Sequence, residues 1–211
     1  MAYLQRIDAN LEDIDAFVVL STVQSDSLGD ITREGFVNGW AQHVDVDVTD
    51  FTAATITWAW QTRVVRARIN KALTDAAYFR ELYNLGFEIA REPPQKAISM
   101  ENALGFWGAL YNPTTNPWRS AHVDWLAAWT AYFREKFGTM TEGGEWEYSR
   151  TVSKDLWNQT RLFALKTMED ETLGFWSEEQ AWPGLIDEFV VWCKEKGKVG
   201  GQNGEAMEVE A

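Results

Sequence analysis

Apolar positions along the chain recur at three and four residues far more often than they alternate, so helix is the element predicted almost everywhere. In "NLEDIDAFVVLSTVQ", Leu11, Ile14, Phe17, Val18 and Val19 form one broad stripe, with Asn10 the predicted N-cap. "TREGFVNGW" predicts a second helix from Thr32, and a long apolar-periodic run goes from Thr49 to about Leu73. "AAYFRELYNLGFEIAR" is stopped by Pro93-Pro94, because proline cannot continue a helix. Ser99 caps "MENALGFWGALY", which Asn112-Pro113 ends. Pro117 then opens "WRSAHVDWLAAWTAYFREKF", whose apolar face comprises Trp118, Val123, Trp125, Leu126, Trp129, Tyr132 and Phe133. A polar, glycine-bearing loop is predicted for "GTMTEGGEWEYSR", and Ser153 caps "SKDLWNQTRLFALKTMED". The last helix runs from Glu178 or Pro183 to Lys196, and no strand longer than a few residues is predicted. The fold class is all-α, one domain over residues 4–197, with residues 198–211 expected as a disordered acidic tail.

Composition narrows the function. Of 211 residues, 32 are acidic and 19 basic, a net charge of −13 that disfavours nucleic acid as a partner and suits a basic protein surface. No stretch is apolar and long enough to span a bilayer, so no membrane association is expected. The opening "MAYLQRIDANLED" lacks a basic region followed by an apolar run, and the single Cys193 has no partner for an internal disulfide. An intracellular protein, nuclear or cytoplasmic, is the expectation, and a monomer. Twelve tryptophans fit either a large aromatic core or a binding surface.

Motifs for chemistry are sparse. "QSDSLGDITREG", residues 24–35, has the outline of a calcium loop, with Gly29 sixth and Ile31 eighth. The ligand places hold Gln24, Asp26, Leu28 and Gly35, two without a side-chain oxygen, and the bidentate glutamate is missing. A degenerate EF-hand-like helix–loop–helix with Ile31 packed inward is predicted, without calcium. One Cys and the distant pair His43 and His122 give no zinc pattern, and no nucleophile elbow or phosphate-cradling loop is present. Cys193 reads as a packed thiol and His122 as a satisfied surface histidine. Tryptophans with acids such as Asp155, Asp187 and Glu188 leave a carbohydrate-active enzyme open, as they do an adaptor binding an amphipathic peptide. No cofactor is predicted.

The C-terminal third narrows these alternatives. "SKDLWNQTRLF" followed by "SEEQAWPGLIDEFVVW" resembles the signature of the defective-in-cullin-neddylation (DCN1-like) family, whose module is the potentiating-neddylation (PONY) domain. The likeness continues upstream through "FEIAREPPQKAISMENALGFWGAL" to "ITREGFVNGW", about residues 10–195. It implies a non-catalytic, scaffold-type E3 for neddylation, which holds a cullin C-terminal winged-helix region beside the charged E2 conjugating enzyme. Proximity and orientation are then its contribution, and catalysis stays with the E2 and a RING partner.

The family's cullin-binding patch of acid, alanine and acid falls on Asp155, Ala181 and Asp187. Carboxylates suit a basic partner surface, and a small alanine permits close approach. The family's apolar pocket for the acetylated E2 N-terminus corresponds to Ala16, Val19, Ile31, Ile89, Phe106 and Ala109. The chain departs from the family at Gln180, usually Gly, at a longer connection around Asn116-Pro117, and in an absent helix pair before residue 10. That last difference leads us to expect a module shortened at its N-terminus.

Overall fold

The structure, a computed structural model, describes residues 2–25, 27, 30–44, 57–92, 94–177 and 179–199. Among them the chain is predominantly helical, as the periodicity predicts. Helix α1 (Ala2–Arg6) is followed by α2 (Ile14–Thr22), capped by the buried Asp13 rather than by Asn10. Both are capping residue types. Asp13 takes the place because its carboxylate accepts from Ile14 N at 2.7 Å and from the Thr115 hydroxyl at 2.7 Å. Leu11 therefore lies in the preceding turn and is 45% exposed, off the predicted stripe.

Thr32, from which a helix is predicted, is the cap of α3 (Arg33–Ala41), its hydroxyl accepting from Gly35 N. Helices α2 and α3 approach so closely that a Cβ on Gly39 would meet the Thr22 carbonyl oxygen at 1.9 Å, which only glycine permits. Part of the calcium-loop outline (Asp26, Leu28, Gly29) lies outside the described residues, as do 49–56 of the predicted long helix. Helix α4 (Trp58–Thr74) is capped by Thr57, and α5 (Ala76–Ala90) by Asp75, whose carboxylate accepts from Ala77 N and Tyr78 N. Pro93 also lies outside the described residues.

Next come two short antiparallel strands that each run into a helix. Strand β1 (Ala97–Ser99) pairs with β4 (Thr151–Ser153), and the central pair Ile98–Val152 is buried. Ser99 at the end of β1 caps α6 (Met100–Leu110), and Ser153 at the end of β4 caps α8 (Lys154–Glu169). Between them α7 (Trp125–Phe137) starts eight residues after Pro117, not at it. Trp118 and Val123 are buried as the apolar pattern requires, but from a turn. The Trp118 carbonyl accepts from Trp125 N, and Asp124 caps the helix through Ala127 N, so residues 118–124 fold back instead of continuing.

The predicted polar loop is a hairpin, β2 (Gly138–Met140) with β3 (Trp146–Tyr148), turned through Gly144 at φ +82°. The Arg134 guanidinium sits over the Trp146 ring, 5.6 Å from its centroid, which anchors strands too polar to be read from periodicity. Helix α9 (Gly184–Glu195) begins after Pro183 and closes with Gly197 at φ +63°. Gly197 N bonds to Lys194 O and Lys198 N to Cys193 O, a Schellman cap. Lys198 and the buried Val199, assigned to the tail from sequence, thus belong to this cap; residues 200–211 lie outside the described set.

The core is aromatic. Trp129 is fully buried and meets Phe189 at 4.7 Å and Phe133 at 4.8 Å, both edge to face, with Trp107 at 5.7 Å and Trp118 at 5.9 Å. Trp107 stacks on Trp157 at 5.2 Å. Reciprocal hydrogen bonds join α5 to α8 here. The Tyr83 hydroxyl donates to Trp157 O at 2.7 Å, and the Trp157 indole donates to Tyr83 O at 2.9 Å. The same hydroxyl accepts from the Trp107 indole at 2.7 Å, tying in α6. Burial holds the Tyr83 phenol protonated, far above its ordinary range.

Tyr83→Phe deletes this hydroxyl, leaves the buried Trp107 indole N–H without a partner, and takes from the Trp157 carbonyl the bond it accepts beside its helical one. We expect a loss of about 1–3 kcal/mol, read as a lower urea midpoint with unchanged slope. An unchanged midpoint would remove the hydroxyl from its role as the joint between α5, α6 and α8.

Candidate functional site

All six residues assigned from sequence to an apolar pocket line one cavity of about 780 Å³. Ala16 and Val19 come from α2, Ile89 from the last turn of α5, Phe106 and Ala109 from α6, and Ile31 from the segment before α3. Ile31 is 40% exposed at the mouth, so it is not packed inward as the helix–loop–helix outline suggests. The floor is formed by buried side chains, among them Phe17, Val19, Ile89 and Ala109. Its size lies in the range that holds a few side chains of a ligand.

Three further contributions to this cavity were missed in the sequence. Tyr3 and Leu4 reach it from α1, whose five residues are too few to show a period. Gly105 and Gly108 sit three apart on α6, and a Cβ built on either meets nothing within 4 Å. Their spacing was visible in "LGFWGAL", but a glycine pair in a helix does not by itself say what lies opposite. Glu12 is the charged side chain of the lining.

The acid–alanine–acid residues lie around the other half of the core. Asp155 is exposed in the first turn of α8, with no hydrogen bond or ion pair among the described residues. Negative charge there also favours the helix N-terminus. Its neighbour Lys154 is engaged elsewhere, 2.6 Å from Glu88. Ala181 is exposed in the segment leading into α9, between Gln180 and Trp182. The Trp182 indole donates to Gln180 Oε1 at 3.0 Å, and its ring packs on Phe163 at 5.7 Å.

Asp187 is half-buried on α9, and one of its oxygens accepts from the Trp176 indole at 2.8 Å. The other has no hydrogen bond among the described residues. Trp176 and Asp187 line a cleft of about 350 Å³ with Lys136, Glu188, Val191, Trp192 and Glu195. The neighbouring Glu188 is not idle surface, because it accepts from the Tyr132 hydroxyl at 3.1 Å. Trp176 was not singled out from sequence, since it lies in irregular chain where no period marks it.

These contacts tie the Ala181 segment and α9 to Phe163, which also meets Phe189 at 5.9 Å. Asp155 stands eight residues upstream of Phe163, about 12 Å along the helix axis. No hydrogen bond among the described residues joins it to Ala181 or Asp187.

No group of three or more His, Cys, Asp or Glu able to hold a metal occurs among the described residues, and no described helix is long and apolar enough to cross a membrane. Cys193 is buried, which pushes its thiol up to about 12, outside the range of a reactive thiolate. His122 pairs with Glu171 at 2.6 Å, joining the turn before α7 to the segment after α8.

An all-α domain with an open apolar cavity and a separate acid-bearing face is the class these features define. Comparison with known families makes this specific. Residues 61–192, more than half of the chain, match the family model described as "Cullin binding". The chain is 34% identical over 205 residues to "Defective in cullin neddylation protein 1" of Pyricularia oryzae, covering 92% of this chain and 66% of that one. It is 25% identical to the protein of that name in Saccharomyces cerevisiae, covering 89% and 62%, and 24% identical to "DCN1-like protein 5" of Rattus norvegicus, covering 91% and 68%. The chain thus spans about two thirds of the length of these relatives, and it belongs to the cullin-binding, DCN1-like family.

The His122–Glu171 pair carries a pH prediction. The His122 imidazole, the Ser120 hydroxyl and the His122 backbone N–H hold the Glu171 carboxyl down at about 2. A depressed carboxyl stabilises the fold above its ordinary pKa, and that contribution fades as pH falls toward about 2. We expect Glu171 to titrate near the bottom of that window by NMR, and His122→Ala to move it up toward the normal glutamate range. A Glu171 titration that is the same in both proteins would show that the pair is not formed in solution.

Proposed function

We propose that this chain is a non-catalytic scaffold for cullin neddylation, a monomer acting inside the cell, in the nucleus or cytoplasm. It binds a cullin C-terminal winged-helix region through Asp155, Ala181 and Asp187. It binds the neddylation E2 through the cavity lined by Ala16, Val19, Ile31, Ile89, Phe106 and Ala109. The observation that carries the proposal is the cullin-binding family match over 61–192, which contains all three patch residues. Relatives named for a defect in cullin neddylation support the pathway. The cavity supports a second, separate contact, with an open apolar floor and glycines on α6 that leave room for an inserted side chain.

A scaffold acts by holding two reactants close and oriented, and it needs no nucleophile, acid or metal of its own. On the cullin side the two acids have unequal roles. Asp187 is half-buried with its orientation set by Trp176, so a partner cation meets a fixed, partly desolvated carboxylate. Asp155 is exposed and can offer only the smaller energy of a rim pair.

A reconstituted assay with purified cullin, E2 and modifier, with and without this chain, tests the proposal directly. We expect faster cullin modification with the chain present. Asp187→Ala should weaken cullin binding at least about tenfold and Asp155→Ala up to about fivefold, with unchanged helical circular dichroism. Wild-type affinity should fall with added salt. Cullin capture indifferent to both substitutions would remove the patch assignment, and an assay indifferent to the chain would remove the scaffold role.

A further inference from the structure

Glu12 is the one charged residue on an otherwise uncharged cavity lining. Its position is set by backbone bonds that do not use its side chain. Its N–H donates to Asn10 Oδ1 at 3.0 Å, and its carbonyl accepts from the Asn112 amide at 3.1 Å, across 100 residues of chain. Nearby acids are otherwise committed. Asp13 is buried as the cap of α2, Asp8 pairs with Arg66, and Asp15 accepts from Asn10 N at 3.1 Å. Among the described residues the Glu12 carboxylate has no ion pair. It is exposed at the mouth with Leu11 and Ile31, while the floor below is buried and apolar.

Resting on the reading of this cavity as a peptide-binding site, we propose that Glu12 sets its charge specificity. The occupant is a segment with an apolar side chain seated on the floor and a Lys or Arg a few residues along, whose cation pairs with Glu12 at the mouth. A terminal amine attached to the seated residue itself is the poorer match. It would be drawn below the mouth, where desolvating an ammonium is costly. A lysine or arginine instead lays its methylenes along Leu11 or Ile31 and keeps its charge in water beside the carboxylate. Because the pair is solvated, its contribution is modest and falls with salt.

Fluorescence anisotropy with defined peptides tests this. The probes are labelled acetyl-Met-Leu-Ser-Lys-Leu-Ser, the same peptide with Gln for Lys, and the Gln peptide with a free amine in place of the acetyl group. Wild-type protein should bind the Lys peptide about threefold to fivefold more tightly than either Gln peptide at low salt. That preference should vanish in E12Q and in 0.5 M salt, and E12K should disfavour the Lys peptide. Equal binding of the Lys and acetylated Gln peptides to wild type, or a preference that survives E12Q, overturns the assignment of Glu12. A free-amine Gln peptide that matches the Lys peptide overturns the choice of a side-chain cation. Absence of binding by all three overturns the peptide-site reading itself, so the two failures are told apart.

Discussion

The reciprocal hydrogen bonds between Tyr83 and Trp157 are the constraint on which the rest of the structure depends. Each residue gives its side-chain donor to the other's backbone carbonyl, so α5 and α8 are held in one register as well as in contact. A purely apolar helix pair could slide by a rotamer's width at little cost. A buried donor that loses its acceptor pays the full desolvation penalty, so this pair cannot slide. The Trp107 indole, donating to the same hydroxyl, extends the register to α6. From Trp107 the edge-to-face and stacked rings carry it to Trp129 on α7 and Phe189 on α9.

Both candidate surfaces follow from that register. The cavity lies between α2 and α6, with Ile89 of α5 closing one wall, so its depth is set by how α5 and α6 sit against each other. The packing of Gly86 on α5 is part of this, since a Cβ there would stand 3.0 Å from the Phe17 ring. On the other side, α9 is positioned by Phe189 and Trp192 against Trp129 and Tyr132, which places Asp187 and Glu188 outward. The ribbon of β1 and β4 adds a second tie. It ends in two capping serines, and its antiparallel register fixes where α6 and α8 begin.

What was legible in the sequence was what local chemistry decides. The serine and threonine caps at Thr32, Ser99 and Ser153 mark helix starts because the capping bond spans only three residues. The six cavity residues and the three patch residues were reached through the likeness of long motifs, not through periodicity. What stayed hidden was decided across the chain. Asn10 and Asp13 are equivalent caps until Thr115, 102 residues away, selects the aspartate. Trp118 and Val123 have helical spacing, yet they are buried from a turn because the Trp118 indole reaches Thr167 on α8 at 2.8 Å. Trp176 and Glu12 lie in irregular segments, where the side chain's direction depends on partners no local pattern contains.

On the proposed function, the layout also bears on how a scaffold contributes to a reaction. The proposed E2 contact is built from α2 and α6 and the proposed cullin contact from α8 and α9, and the joint of Tyr83, Trp107 and Trp157 ties α6 and α8 together. A flexible link between such sites would raise local concentration while leaving orientation free. A rigid one restricts both, and orientation accounts for much of what proximity can supply. The core here is suited to the second case, because the helices bearing the two surfaces share one continuous cluster of fully buried rings rather than a hinge. The aromatic density that first distinguishes the sequence is therefore explained without placing most of its tryptophans at a partner's surface. On that reading they hold the two proposed contact surfaces at a fixed separation, and that separation is the property a scaffold has to keep.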